Sequence, residues 1–322
     1  MIKQLVIKML NRKGFMRTMY PYANKQYGKF ERYSTVNKTE CDASYVLTHI
    51  RILTHDIEKG FSLPEPRKGF GKTKLQELDR LLDIYEKKFM GYDDAAYHIA
   101  IATICYYKSC SEQYMLDISF LNNQRYQNNE MLNCGVRICD KRELIRSNFE
   151  NYYDFEKTRH SVRSYKNVTL NPADVRKAIL GAQLAPSACN RQAVKVFHIT
   201  GAERCKKVLN IQNGAKGFSE VNDVFVIAAN LSSYVSPLEI NTGFVDSGLF
   251  AMSFLLSLHS LGIGACPLLW NDETDRAEQL RSIAPIPECY EITLIVPAGY
   301  YTDTVKYALS PRKPVELVYE KV

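Results

Sequence analysis

The sequence predicts an α+β chain. A mainly helical region over residues 1–150 precedes a domain over 155–322 in which a small central sheet is flanked by helices. Three observations lead there. Apolar residues between 40 and 150 recur at helical spacing, as in Leu75, Leu78, Leu81, Leu82 and Tyr85. Beyond 170, short apolar runs of strand length alternate with helical segments. One of those segments, Phe244–Leu261, is nearly all apolar, so it must be covered inside the domain or in a dimer interface.

In chain order, residues 1–34 form a basic arm: Lys3, Lys8, Arg12, Lys13, Arg17, Lys25, Lys29 and Arg32 stand against the single acid Glu31. A solvated, frayed terminus is the plain expectation, and weak contact with an anionic membrane surface is the functional one. Val46, His49, Ile50 and Leu53 mark a first helix with Gly60 at its end. Pro64–Gly71 reads as a loop, and Thr73 precedes an amphipathic helix. Further helices are expected over Asp93–Ser111 and Glu112–Asn123, then a polar linker over 122–129 and a domain boundary near 150. Asn171 caps a helix with Pro172 at its first position. Val194–Thr200 and Asp223–Ala229 are strand candidates. Glu291–Val296 is a buried strand ended by Pro297 and Gly299, and Val315–Tyr319 is a candidate added strand.

With 46% hydrophobic and 24% charged residues, the 322-residue chain is a folded globular protein rather than a disordered one. No apolar run reaches the roughly 18 residues of a membrane span. The start lacks a signal-peptide cleavage site, and nine scattered cysteines, an odd number, read as reduced thiols in a cytoplasmic protein. No nucleic-acid partner is expected. Several motifs fail on inspection. Gly71-Lys72-Thr73 ends like a phosphate-binding loop, but Pro66 stands where its first glycine belongs. Gly262-Ile263-Gly264 lacks the third glycine and the strand–turn–helix order of a dinucleotide fingerprint. Cys105/Cys110 and Cys134/Cys139 are spaced too widely for zinc knuckles, and the six histidines show no ligand spacing, so no metal site is expected.

One constellation survives. Arg159-His160-Ser161-Val162-Arg163 offers two guanidinium groups, which can grip a phosphate through bidentate charge-assisted contacts, and a hydroxyl. After the Asn171-Pro172 helix comes Pro186-Ser187-Ala188-Cys189-Asn190-Arg191-Gln192. This turn can bring backbone N–H groups and an amide to the edge of a flat heterocycle. Gln212-Asn213-Gly214-Ala215-Lys216, Asp246-Ser247-Gly248, Pro267-Leu268-Leu269-Trp270 and Arg312-Lys313-Pro314 follow in order. Each piece alone is weak. Their joint order over residues 155–322 resembles the nitroreductase-like, FMN-dependent flavoprotein family.

That resemblance implies an α+β fold with a central mixed or antiparallel sheet and an obligate homodimer with FMN at the interface. It also implies that hydride passes from NADH or NADPH by way of flavin N5 to a small organic acceptor, such as a nitro compound or quinone. No catalytic side chain is needed, because flavin carries the chemistry while protein supplies position and electrostatics. By matched position, Arg159, His160, Ser161 and Arg163 hold the FMN phosphate and ribityl chain. Pro186, Ser187, Ala188 and Asn190 form the loop contributed by the neighbouring subunit. Asn213 and Lys216 meet the pyrimidine edge. Pro267, Leu268 and Leu269 pass over the flavin, and Arg312 returns to the phosphate. Two departures stand out: Ala193 replaces the family's proline, and the stretch between Gly201 and Phe244 is too short for the usual helical roof, leaving the N-terminal half as the candidate roof. His55–Gly60 with Gly69-Phe70-Gly71 resembles an extension on members associated with polysaccharide biosynthesis. Two alternative roles therefore accompany the broad one: a dedicated flavin enzyme in a polysaccharide or tailoring pathway, or a basic-arm adaptor with a degenerate flavin domain.

Overall fold

The computed structural model describes residues 20–21, 23–63, 66–121, 124–126, 134–136, 149–272, 275–307 and 314–322. Its first element is a helix over residues 23–33 (α1). Next come α2 (Ala43–Ser62), α3 (Lys72–Lys88), α4 (Asp94–Ser109) and the single turn α5 (Ser111–Tyr114). The second half reads α6 (Phe149–Thr158), α7 (Pro172–Ala182), β1 (Val194–Thr200), α8 (Ala202–Gln212), β2 (Asp223–Asn230), α9 (Thr242–Ser260), β3 (Ile263–Ala265), β4 (Leu268–Leu269), α10 (Arg276–Ile283) and β5 (Tyr290–Tyr300).

The strands make one sheet in the order β1-β2-β5-β3, with β4 also on β5, and every ladder is antiparallel. β2 is apolar almost throughout because both its faces are covered. Val224, Val226 and Ala228 pack with α8 and α10 residues, while Phe225 and Ile227 pack with α7 and α9. The register of β2 on β5 shifts between Ile227 and Ala228, and Thr293 at that step donates its hydroxyl to the Ile227 carbonyl at 2.9 Å. A separate core of Val46, Ile50, Leu78, Leu82, Tyr97 and Ile104 joins α2, α3 and α4.

Several expectations needed correction. β5 runs through Pro297 to Tyr300. Pro297 sits where β3 gives way to β4, and there its carbonyl accepts from Cys266 N–H, so its missing N–H breaks no ladder. The tail forms an exposed 3₁₀ turn at Val315–Leu317 rather than a strand. The helix expected over 112–123 stops after Tyr114, where Met115 turns left-handed (φ +53°) and closes the chain on Glu112. α2 continues two residues past Gly60, which lies against Phe70 where a Cβ would clash with the ring. α3 starts at Lys72 after left-handed Gly71.

The basic arm is also not wholly frayed. Lys25 pairs with buried Asp272 at 3.0 Å, Lys29 pairs with buried Glu291, and Phe30 packs with Ala193, Leu231 and Tyr234. Much of α1's positive charge is therefore spent on the domain surface. Residues 1–19, the rest of that arm, lie outside the described residues, as does Arg312.

Candidate flavin site

The structure sorts the expected site residues into two groups. The first lies at the β3 edge. After α6 ends at Thr158, the chain runs beside β3: Val162 N–H donates to Ala265 O at 3.1 Å, and Ser161 bridges Ala265 in parallel. The His160 ring stacks on Tyr307 at 3.8 Å. Arg163 is exposed, 6.0 Å from the Phe218 ring centroid, and its Nη1 donates to Ser161 O at 3.3 Å. Neither Arg159 nor Arg163 has a carboxylate partner among the described residues, and the buried Nε of Arg159 has no acceptor.

Pro267, Leu268 and Leu269 join this group directly, since they continue from β3 across Ile295 and Leu294 of β5. Leu269 stays 69% exposed. Asn213 caps α8 in the left-handed region (φ +67°), and exposed Lys216 follows in the same loop. That loop is tied to the arginine segment: Ser219 N–H donates to Arg163 O, and Ser219 Oγ accepts from Tyr165 N–H. Gln212, quoted in the motif string but given no role, joins the parts by donating to Leu269 O at 2.9 Å and accepting from Gly214 N–H at 2.6 Å.

The other group is the loop Pro186–Gln192. It contains three non-glycine residues at positive φ: Cys189 (+48°), Asn190 (+51°) and Gln192 (+51°). Each is disfavoured, so the surroundings must impose them. They do so with two buried side chains that the sequence reading did not assign. Asp246 at the start of α9 accepts from Ala188 N–H at 3.1 Å. Arg191 turns inward, with Nε on Ala188 O and Nη1 on Ser233 O, both at 3.0 Å, and pairs with Glu239. An arginine inside a run of small residues was the only hint. An open cavity of about 350 Å³ lies between this loop and Val245 and Leu249 of α9.

The two groups do not meet within one chain. Ser161 sits by Ala265, whose level on the sheet passes through Ala298 and Asp223 to Thr200, whereas the loop enters β1 at Val194. They are separated by about 14 Å across three strand spacings and about 20 Å along β1.

Two further groups feel the charges of the first site. Burial raises the Cys266 thiol, although Arg163 and Ser161 pull it the other way. Burial, then the charges of Arg159 and His160, lower His259, whose ring nitrogens lie 2.8 Å from Thr158 Oγ1 and Tyr301 OH.

Residues 157–223 and 224–300 match the model of the nitroreductase family. The C-terminal half is a nitroreductase-family domain. A protein of Archaeoglobus fulgidus that bears the name NADH dehydrogenase/NAD(P)H nitroreductase is 28% identical over 148 residues, 45% of this chain and 83% of its own length. One of the same name from Methanothermobacter thermautotrophicus is 26% identical over 45% of this chain and 74% of its own. Among solved structures, an FMN-dependent nitroreductase of Clostridium difficile aligns with 52% of this chain and 95% of its own (24% identity, TM-score 0.42). The match leaves residues 1–156 outside the nitroreductase domain. Among the described residues, no helix is long and apolar enough to cross a membrane, and no group of three or more His, Cys, Asp or Glu is gathered to hold a metal.

Proposed function

We propose that the nitroreductase domain binds FMN and uses NADH or NADPH to reduce a small organic acceptor, as a homodimer. The observation that carries this reading is the pair Arg159 and Arg163. Two guanidinium groups without a carboxylate partner among the described residues, one of them with a buried unpartnered Nε, can take an anion. The flavin phosphate supplies one, and Ser161 adds a hydroxyl. Pro267–Leu269 then offer backbone to the ring, and Asn213 and Lys216 stand on the same edge to place polar and cationic groups at its pyrimidine side. Bound FMN supplies the hydride chemistry. The chain holds it, orients it and keeps positive charge beside it.

Because loop 186–190 lies on the opposite sheet edge, a second copy of the chain completes the site. The stripe Phe244, Val245, Gly248, Leu249 and Met252 on α9 supports that arrangement, being apolar, exposed and continuous with the loop.

A narrower reading, a flavin enzyme dedicated to one acceptor, is favoured by the roof. Only short turns join β2 to α9, while α2 packs over the 188–190 turn and the 231–233 turn, with Thr48 Oγ1 donating to Ser232 O at 3.0 Å. Arg51, His55 and Glu58 of α2 thereby line a cleft with Asn190 and Gln192. The absorption spectrum of the purified protein, followed by anaerobic titration with each nicotinamide, tests the flavin reading. A colourless protein that takes up no added FMN rejects it. Turnover on quinones and nitroaromatics separates the broad reading from the dedicated one.

A further inference from the structure

The face of α2 opposite the 186–192 loop borders a second, open concavity of about 680 Å³, lined also by the 66–71 loop and the first turn of α3. That is the size of a small-molecule site. Its charge is one-sided among the described residues: Lys59, Arg67, Lys72 and Lys74 face the carboxylate of Asp56. Lys74 pairs with Asp56 at 2.6 Å, and Lys72 with Asp117 at 2.7 Å. Lys59 and Arg67 have no carboxylate partner among the described residues. Uncompensated cations on a convex surface are simply solvated, but gathered around a concavity they focus a positive potential into it. The walls between them are apolar, with Phe70 and half-exposed Leu63 offering area to an organic body.

We infer that this cavity binds a phosphate-bearing small molecule distinct from the flavin, with Lys59 and Arg67 as its anion contacts. The Gly71-Lys72-Thr73 stretch, rejected above as a nucleoside-triphosphate loop, takes part in a simpler way. Gly71 turns left-handed (φ +84°) into α3, and no side chain caps that first turn, so the helix dipole adds to the lysines' field. Arginine's planar fork can grip a phosphate through two parallel hydrogen bonds. The concave shape suits a small molecule rather than a membrane surface or duplex.

Calorimetric titration of full-length, FMN-saturated protein with inorganic pyrophosphate at low salt tests this. Saturable binding is expected, weakened about tenfold or more in Lys59→Ala/Arg67→Ala while flavin content stays unchanged. Absence of binding by wild type up to about 10 mM, or unchanged affinity in that double variant, overturns the inference. Arg159→Ala/Arg163→Ala provides the second arm. Pyrophosphate binding should survive there even where flavin is lost, and its disappearance would assign the anion to the flavin pocket and overturn the inference.

Discussion

Arg191 and Glu239 form a two-point ion pair behind the 186–192 loop: Nη2 lies 2.6 Å from Oε1 and Nη1 lies 3.0 Å from Oε2. Arg191 is 3% exposed, and its guanidinium also sits 5.3 Å from the Tyr234 ring centroid. Glu239 in turn accepts from Val235 and Ser236 N–H. One side chain thus fixes both the loop from Ala188 to Gln192 and the turn after β2. Replacing Arg191 by Met should cost about 2–4 kcal/mol, because it strands a half-buried carboxylate and frees three left-handed residues. A fall of several degrees in Tm together with lost flavin is expected. Lost flavin with an unchanged Tm would show that the pair does not brace the fold.

The same pair sets an acid limit. Burial raises the Glu239 carboxyl, but Arg191's hydrogen bonds, the Val235 N–H and Arg191's charge outweigh it and hold the group below its ordinary 4.5. A depressed folded value means stability that is complete above the unfolded value and lost as pH falls through the folded one. Wild-type Tm should therefore drop more steeply than that of Glu239→Gln below about pH 4.5. Parallel curves would rule out this source.

Much of this architecture could be read from residue pattern. The Asn171 cap, the buried β2 run and the apolar α9 follow from capping and periodicity, which act locally. The β3-edge cluster was legible by its order of motifs. The hidden parts are those that depend on pairing across the fold. Pro297 continues a strand only because β3 ends beside it. Arg191 points inward only because Glu239, 48 positions later, meets it. The lysines of α1 looked like a free basic arm because their partners, Asp272 and Glu291, lie more than 240 positions away.

Asp246 offers a cleaner probe of the loop than Arg191. It is buried, accepts from Ala188 N–H and touches Tyr234 OH at 3.4 Å. Asp246→Asn keeps a carbonyl acceptor and should bind flavin nearly as wild type. Asp246→Ala leaves the Ala188 N–H unmatched, at about 1–3 kcal/mol, and should weaken flavin binding about tenfold or more. Equal affinities in the two variants would remove Asp246 from loop positioning.

Deleting residues 1–34 should destabilise the nitroreductase domain, not merely release a tether. The deletion removes Lys25, Lys29 and Phe30, leaving Asp272 and Glu291 without their cations and exposing Tyr234 and Leu231. Chemical denaturation should show a lower midpoint than in a deletion of residues 1–19 alone. Coincident midpoints would mean that α1 is only an appendage.

His259 reports on the charge of Arg159. Its imidazole is held below the usual 6.5 by burial, then by the Arg159 and His160 charges. Because the folded value is depressed, this group favours the folded state above 6.5 and ceases to as pH falls through the folded value. Removing the charge in Arg159→Ala should raise the titration midpoint read from the imidazole proton resonances. Binding a phosphate between Arg159 and Arg163 should raise it too, since an added anion favours the imidazolium. A midpoint that rises in Arg159→Ala but ignores FMN would show that the guanidinium faces His259 without holding the cofactor.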